Sequence, residues 1–226
     1  MKNIYIIVVA LFFFTACDSD LDQLPPNLPD AGSLTDYTGV LNAAYGYHFD
    51  AVTPMAVFGD FRSDNCFFDE TPYTDFDEFQ ASSNLATSMT NDFFKPFYAA
   101  LYNSILSANG VIENSTNAGQ VGEAKFIRAL SYFKLVRVFG DVTVNLLGEP
   151  TVVEIAAADL SRQPASDVYN NVIIPDLMEA TSALSPTNDS GRATSIAAQA
   201  LLGKVYAQIG NYSAAETALS SVVSGA

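Results

Sequence analysis

The segment GEAKFIRALSYFKLVRVFGDV, Gly122 to Val142, constrains this chain more than any other. Lys125, Arg128, Ser131, Lys134 and Arg137 recur at every third position, and nearly everything between them is apolar. A helix on a protein surface carries a broad polar face, whereas this one has a single narrow polar stripe. Such a helix has to be packed on most of its sides. The spacing predicts a central helix from about Gly122 to Phe139, with other helices laid around it.

Those neighbours are legible too. Ser33 can cap a first helix that places Leu34, Tyr37, Leu41, Ala44 and Tyr45 on one face. A second carries Phe94, Phe97, Tyr98, Leu101, Tyr102 and Ile105, with Pro96 near its start. A further helix begins after Pro164, with Ser166 as its cap, runs through Val168, Val172 and Leu177 towards Leu184, and bends at Pro175. Ala200, Leu202, Gly203, Tyr206, Gly210, Tyr212, Ala215 and Ala218 then mark a helix–turn–helix of the tetratricopeptide type, whose small residues permit close packing. Strand signal is sparse: DVTVNLL, Asp141 to Leu147, alternates briefly and reads equally well as an extended loop. The expected fold is all-α or mainly α, an α/α superhelix of tetratricopeptide-like helix pairs with long loops.

An apolar content of 49% supports a large core in this 226-residue chain. Ten basic against 25 acidic residues give a net charge of −15, which excludes the basic face of a nucleic-acid binder. Between Asp18 and Gln80 there are 13 acids and one base, Arg62. That imbalance keeps the segment off anionic surfaces, although plain solubility explains it equally well.

At the N-terminus, Lys2 precedes an apolar run that reads as a secretory signal and is shorter than the about 20 residues a spanning helix needs. Its end, Thr15-Ala16-Cys17, resembles the lipobox of bacterial lipoproteins, in which Cys17 becomes the lipidated first residue. Phe14 departs from that pattern, which favours Leu there, and a plain signal peptide with an incidental cysteine is the alternative. With lipid on Cys17, Cys66 has no partner and the fold must stand without disulfides. The chain thus divides into a signal peptide (1–16), an acidic, Pro-rich tether (17–32) and a helical domain (33–226) that looks truncated at its C-terminal end. Acids close behind Cys17 also resemble the surface-export signals of lipoproteins in Bacteroidetes-type bacteria.

Catalytic chemistry finds little support. His48 is the only histidine and sits in an apolar helix, where a structural role is expected. No P-loop, GxGxxG or zinc spacing occurs. Carboxylate pairs of the glycosidase kind have no diagnostic value in a chain so rich in acids. Asp60, Asp64, Asp69, Glu70, Asp75 and Asp77 offer oxygen ligands, but their spacing matches no calcium loop. Neither an enzyme, a metal nor a cofactor is expected. Binding is better supported. GDFRSDNCFFDETPYTDFDEFQ, Gly59 to Gln80, interleaves aromatics with seven carboxylates between two helices. Sugars need flat apolar surfaces for their C–H faces and polar groups for their hydroxyls, and such a loop has both. Some of its phenylalanines must instead pack the loop against the body, and the chain has no Trp.

Several ordered blocks resemble the SusD/RagB-like family. The central helix carries Glu123-Ala124, Arg128-Ala129, Tyr132, Leu135 and Phe139-Gly140-Asp141. GDFRSDN and YNSILSANGVIE resemble earlier family segments, and LSRQPASDVYNNVIIPDLMEA and GRATSIAAQALLGKVYAQIGNY resemble later ones. Thr143 departs from the pattern, which favours Pro after Gly-Asp-Val, and family chains generally continue well past residue 226. The resemblance implies a surface lipoprotein of the outer membrane that captures nutrients, usually glycans. Each member sits as a lid on a SusC-like TonB-dependent β-barrel transporter, towards which its helical scaffold chiefly faces. It further implies ligand contacts in the loop after the Asp-x-Arg-x-Asp block, here Asn65, Phe67, Phe68 and Tyr73. Arg62 and Asp64 lie in that block and are expected to form a buried ion pair holding the loop, with any ligand role secondary. The competing readings are a helical-repeat scaffold that binds no small ligand, a peptide-binding member of the same family, and a glycan-cleaving enzyme.

Overall fold

The computed structural model describes residues 36–61, 94–148, 150–189 and 191–225. Helix α1 (Thr38–Asp50) starts where the Asp36 carboxylate accepts hydrogen bonds from the Thr38 N–H, 3.0 Å, and hydroxyl, 2.7 Å. The expected cap, Ser33, lies outside the described residues. Tyr37, Leu41 and Ala44 are buried as the pattern required. Helix α2 (Val52–Phe61) follows at once. In α3 (Phe94–Asn114), Pro96 falls in the first turn, where a missing N–H costs no helical bond. This helix buries Phe97, Leu101, Ile105, Ala108 and Val111.

Helix α4 (Ala118–Phe139) begins a turn before the expected Gly122, because the Asn117 side chain accepts from the Gly119 and Gln120 N–H groups. It ends at Gly140, whose φ of 71° needs a residue without Cβ. A short α5 (Val152–Ala157) is held by a reciprocal capping box between Thr151 and Glu154. Helix α6 (Ala165–Val168) passes through a π-helical turn, Tyr169–Ile173, into α7 (Ile174–Ala183). Here one expectation is corrected. Ser166 is not the cap: the Ala165 N–H donates instead to the carboxylate of Asp141, 2.9 Å away. At Pro175, where the sequence predicts a bend, the helix departs from α-geometry in the turn ahead of the ring. A proline ring crowds the carbonyl four residues back, and the preceding turn widens to a π-helix that lets it in. Helices α8 (Ser195–Gln208) and α9 (Tyr212–Gly225) form the expected pair. They approach so closely that a Cβ on Gly203 would lie 2.6 Å from the Leu219 side chain. DVTVNLL is an extended segment with one antiparallel bridge, Val142 to Gln163.

The described residues thus form an all-α body in which α1 packs on α3, α3 on α4, α4 on α7, α7 on α8 and α8 on α9. This is an α/α superhelix of tetratricopeptide-like pairs. Helix α4 also meets α1 and the π-turn, so it is the central element. Its polar stripe is no strip of solvent. Steps of three residues fall back about 60° per step around a 3.6-residue helix, so the stripe winds across successive neighbours. Lys125 pairs with Glu179 of α7, and Arg128 reaches Asp176 of α7 and Asn109 of α3. Ser131 meets Ser104 of α3 and His48 of α1, and Lys134 meets His48.

His48 is therefore a joint between helices. Lys134 Nζ donates to its Nε2, 2.7 Å away, which fixes the Nδ1–H tautomer that donates to Ser131 Oγ at 3.0 Å. Burial, with the Lys134 charge adding to it, pushes the His48 pKa from 6.5 down to about 3. The unfolded chain binds a proton at this imidazole as pH falls through about 6.5, and the folded chain does not. Stability is therefore lost on acidification through that window, by about 1 kcal/mol between about pH 7 and 5.5. Urea unfolding at those two pH values is expected to show this loss in the wild type and its absence in His48→Gln. Equal losses in both would contradict the assignment.

Candidate functional site

The sequence places ligand contact at Asn65, Phe67, Phe68 and Tyr73, support at Arg62 and Asp64, and the lipid at Cys17; all seven lie outside the described residues. What the described residues build is a cavity of about 450 Å³ where α3 begins. Tyr98 and Tyr102 of α3 line it, with ring centroids 4.5 Å apart and ring planes at 38°. Phe139, at the end of α4, meets Tyr98 edge to face at 5.4 Å and orients that ring from behind. The opposite walls come from the segment Thr143 to Leu147, from Pro150, and from Glu154 to Leu160 around α5.

The wall segment is held almost entirely from the two central helices. Tyr102 donates to the Thr143 carbonyl at 2.6 Å, and the Thr143 hydroxyl donates to the Leu160 carbonyl at 3.0 Å. Proline at this position could not make the second of these bonds. Tyr132 of α4 donates to the Asn145 carbonyl, 2.9 Å, and accepts from the Asn145 N–H, 2.8 Å. Its phenol is driven up to a pKa of about 12, chiefly by burial. The Asn109 amide donates to the carbonyls of Asn145 and Leu147, at 3.0 and 3.1 Å. Glu113 accepts from the Gly148 N–H at 2.9 Å. Gly148 lies so close to α3 that a Cβ there would stand 2.4 Å from the Gly110 nitrogen.

Behind this wall lies the ionic centre of the fold. Arg128 Nε and Nη2 grip the two oxygens of Asp176 at 2.7 and 2.8 Å, and Nη1 donates to Asn109 Oδ1 at 2.9 Å. Both charged residues are buried. Burial pushes the Asp176 carboxyl above its ordinary value, and the guanidinium opposes that push. Asn109, held from one side by Arg128, is thereby oriented to hold Asn145 and Leu147 from the other. A second cluster fastens α1 and α4 to the chain ahead of α8. Glu123 accepts from the Tyr45 hydroxyl at 2.7 Å and from Arg192 at 3.2 Å, while the Ala193 N–H donates to Tyr45 at 2.9 Å.

A family profile described as "Starch-binding associating with outer membrane", of the SusD-like type, matches residues 34–207. The chain belongs to the SusD-like family. A SusD-like protein of Bacteroides ovatus is 30% identical over 91% of this chain and 39% of its own length. SusD-like protein P38 of Formosa agariphila is 25% identical over 98% of this chain and 46% of its own length. The chain therefore spans less than half the length of these curated relatives. Among solved structures, a SusD superfamily protein of Bacteroides vulgatus superposes with a TM-score of 0.71 at 23% identity, covering 86% of this chain and 43% of that one. A laminarin-binding SusD-like protein superposes at 0.66 with 24% identity, covering 84% and 43%. Six residues of the stretch that resembles the SusD-like signature have a physical task. Glu123 ties α1 and Arg192, Arg128 neutralises Asp176, and Tyr132 holds Asn145. Phe139 backs the tyrosine pair, Gly140 ends the helix, and Asp141 accepts from the first N–H of α6.

The cavity residues were not among the sequence candidates. Tyr98 and Tyr102, four apart on a helix, carry the same signal as core residues, and their partners arrive from 40 to 60 residues downstream. Helix α5 was not expected either, although the Thr-x-x-Glu pattern at Thr151 to Glu154 is a local signal for its start.

Replacing Arg128 by Met leaves Asp176 without its counter-charge in the interior, and breaking a buried pair in this way costs about 3–5 kcal/mol. Denaturant unfolding of Arg128→Met is expected to show a loss of that size. A loss below about 1 kcal/mol would show that the pair is dispensable.

Proposed function

We propose that this protein is a surface-exposed, lipid-anchored protein of the outer membrane that binds nutrient glycans and delivers them to a SusC-like TonB-dependent transporter. The observation that carries this reading is membership of the SusD-like family across residues 34–207, under a profile described as starch-binding and associated with the outer membrane. Structural neighbours described as a laminarin-binding SusD-like protein and as a SusD-like carbohydrate-binding protein support it. On this reading Cys17 carries the lipid and the acidic segment behind it spaces the domain from the membrane. The helices are the scaffold. Asn65, Phe67, Phe68 and Tyr73 touch the glycan, and Arg62 with Asp64 steadies their loop. The mechanism is capture and handover: binding concentrates glycan over the transporter mouth, and no covalent bond changes.

The loop assignment is tested by the triple variant Phe67→Ala, Phe68→Ala, Tyr73→Ala, titrated with a panel of oligosaccharides that includes laminarin fragments. Each stacked aromatic is worth about 0.5–1.5 kcal/mol, so affinity is expected to fall at least about tenfold with the melting temperature unchanged. Unaltered affinity for the glycan that the wild type binds would remove the loop from the site.

A further inference from the structure

We propose that the cavity between α3 and α5 is a second glycan subsite, built from other residues than the loop candidates, and that it accepts uncharged sugar residues. The proposal rests on the glycan-capture reading above. The cavity's about 450 Å³ falls within the about 300–1,000 Å³ of pockets that hold small ligands. Its aromatic surface is the Tyr98–Tyr102 pair, and Tyr98 remains 40% exposed. The Tyr102 hydroxyl is committed to the Thr143 carbonyl, so this residue contributes its ring. Val144, Leu147, Ile155 and Leu160 continue the apolar surface. Among the described residues, the Asn145 amide nitrogen and one oxygen of Glu154 have no partner. A ring surface flanked by one donor and one acceptor matches a sugar, which presents C–H faces and hydroxyls together.

Other ligands fit less well. An extended peptide binds by adding a strand to open backbone groups. The Thr143 carbonyl, both Asn145 groups and both Leu147 groups are already bonded, which leaves Val144 as the one lining residue of this segment with both backbone groups open, and one residue does not make a strand edge. A wholly apolar ligand would leave the Asn145 amide and the Glu154 oxygen desolvated and unpaired. An anionic sugar would meet the carboxylates of Glu154 and Asp159, both of which line the cavity. Hydrogen bonds from Thr151 and Ser161 hold these two acids below their ordinary values, so both are charged at neutral pH. Arg162, whose charge reaches Tyr102, is not among the lining residues.

The test uses the full-length protein on an array of neutral gluco-, manno-, galacto- and xylo-oligosaccharides beside uronate-containing and sulfated ones. The tightest binder is then titrated calorimetrically into the wild type, Tyr98→Ala and Ala158→Trp. Ala158 is exposed at the cavity wall, so Trp there plugs the space without disturbing the core. The expected result is binding confined to neutral glycans, and affinity reduced about tenfold by each variant. Because Ala158→Trp leaves the Tyr98 packing intact, it decides the matter if Tyr98→Ala fails to fold. Unchanged affinity in Ala158→Trp, or a preference for acidic glycans, overturns the subsite and leaves glycan capture standing. A wild type that binds nothing on the array overturns glycan capture itself.

Discussion

The bidentate pair between Arg128 and Asp176 is the interaction on which the rest of the structure depends. Two buried charges can be held only if each satisfies the other, so α4 and α7 have one mutual position and no sliding register. The third nitrogen of Arg128 carries that constraint to Asn109 of α3. From Asn109 it passes to the backbone of Asn145 and Leu147, which wall the tyrosine-lined cavity. Tyr132 makes the same connection one turn along α4. The signature helix therefore acts on the surface of the protein through side chains, Arg128 and Tyr132, that are themselves buried. It sets the position of an irregular segment that could not otherwise hold its shape.

This arrangement also accounts for the winding stripe. A helix surrounded by neighbours must offer each of them something polar at the places where backbone and charges meet. The spacing of three presents Lys125 and Arg128 to α7, then Ser131 to α3, then Lys134 to α1. No buried side-chain nitrogen or oxygen among the described residues is left without a partner. In the His48 contact the same logic excludes a charge: a lysine already donates to the imidazole, so the ring is neutral.

Much of the helical scaffold was legible in the sequence because periodicity reports burial, and burial of α4, α3 and the α8–α9 pair is what the fold needs. The ends were less legible. Asp141 accepts from the first N–H of a helix that begins 24 residues later, and no local pattern around Ser166 reveals a partner at that separation. The π-turn ahead of Pro175 likewise reflects how the turn relaxes around a ring, where the sequence suggests only a bend. The cavity was the least legible feature. Its tyrosines look like core residues in sequence, and its wall is a segment whose shape is dictated by long-range bonds to Asn109, Tyr132 and Glu113. The loop candidates, Asn65, Phe67, Phe68 and Tyr73, fall outside the described residues, so they stand on composition and resemblance.

We propose that a rigid helical scaffold holds glycan for handover and leaves transport to a partner. The most direct measurement is a pull-down of the tagged protein, expressed from its complete gene in its native cells, after gentle solubilisation of the outer membrane and identification of the retained proteins by mass. The account predicts a large TonB-dependent β-barrel recovered in near-equal amount. Recovery of the protein alone, or with soluble enzymes only, would contradict it and favour a scaffold that organises surface proteins.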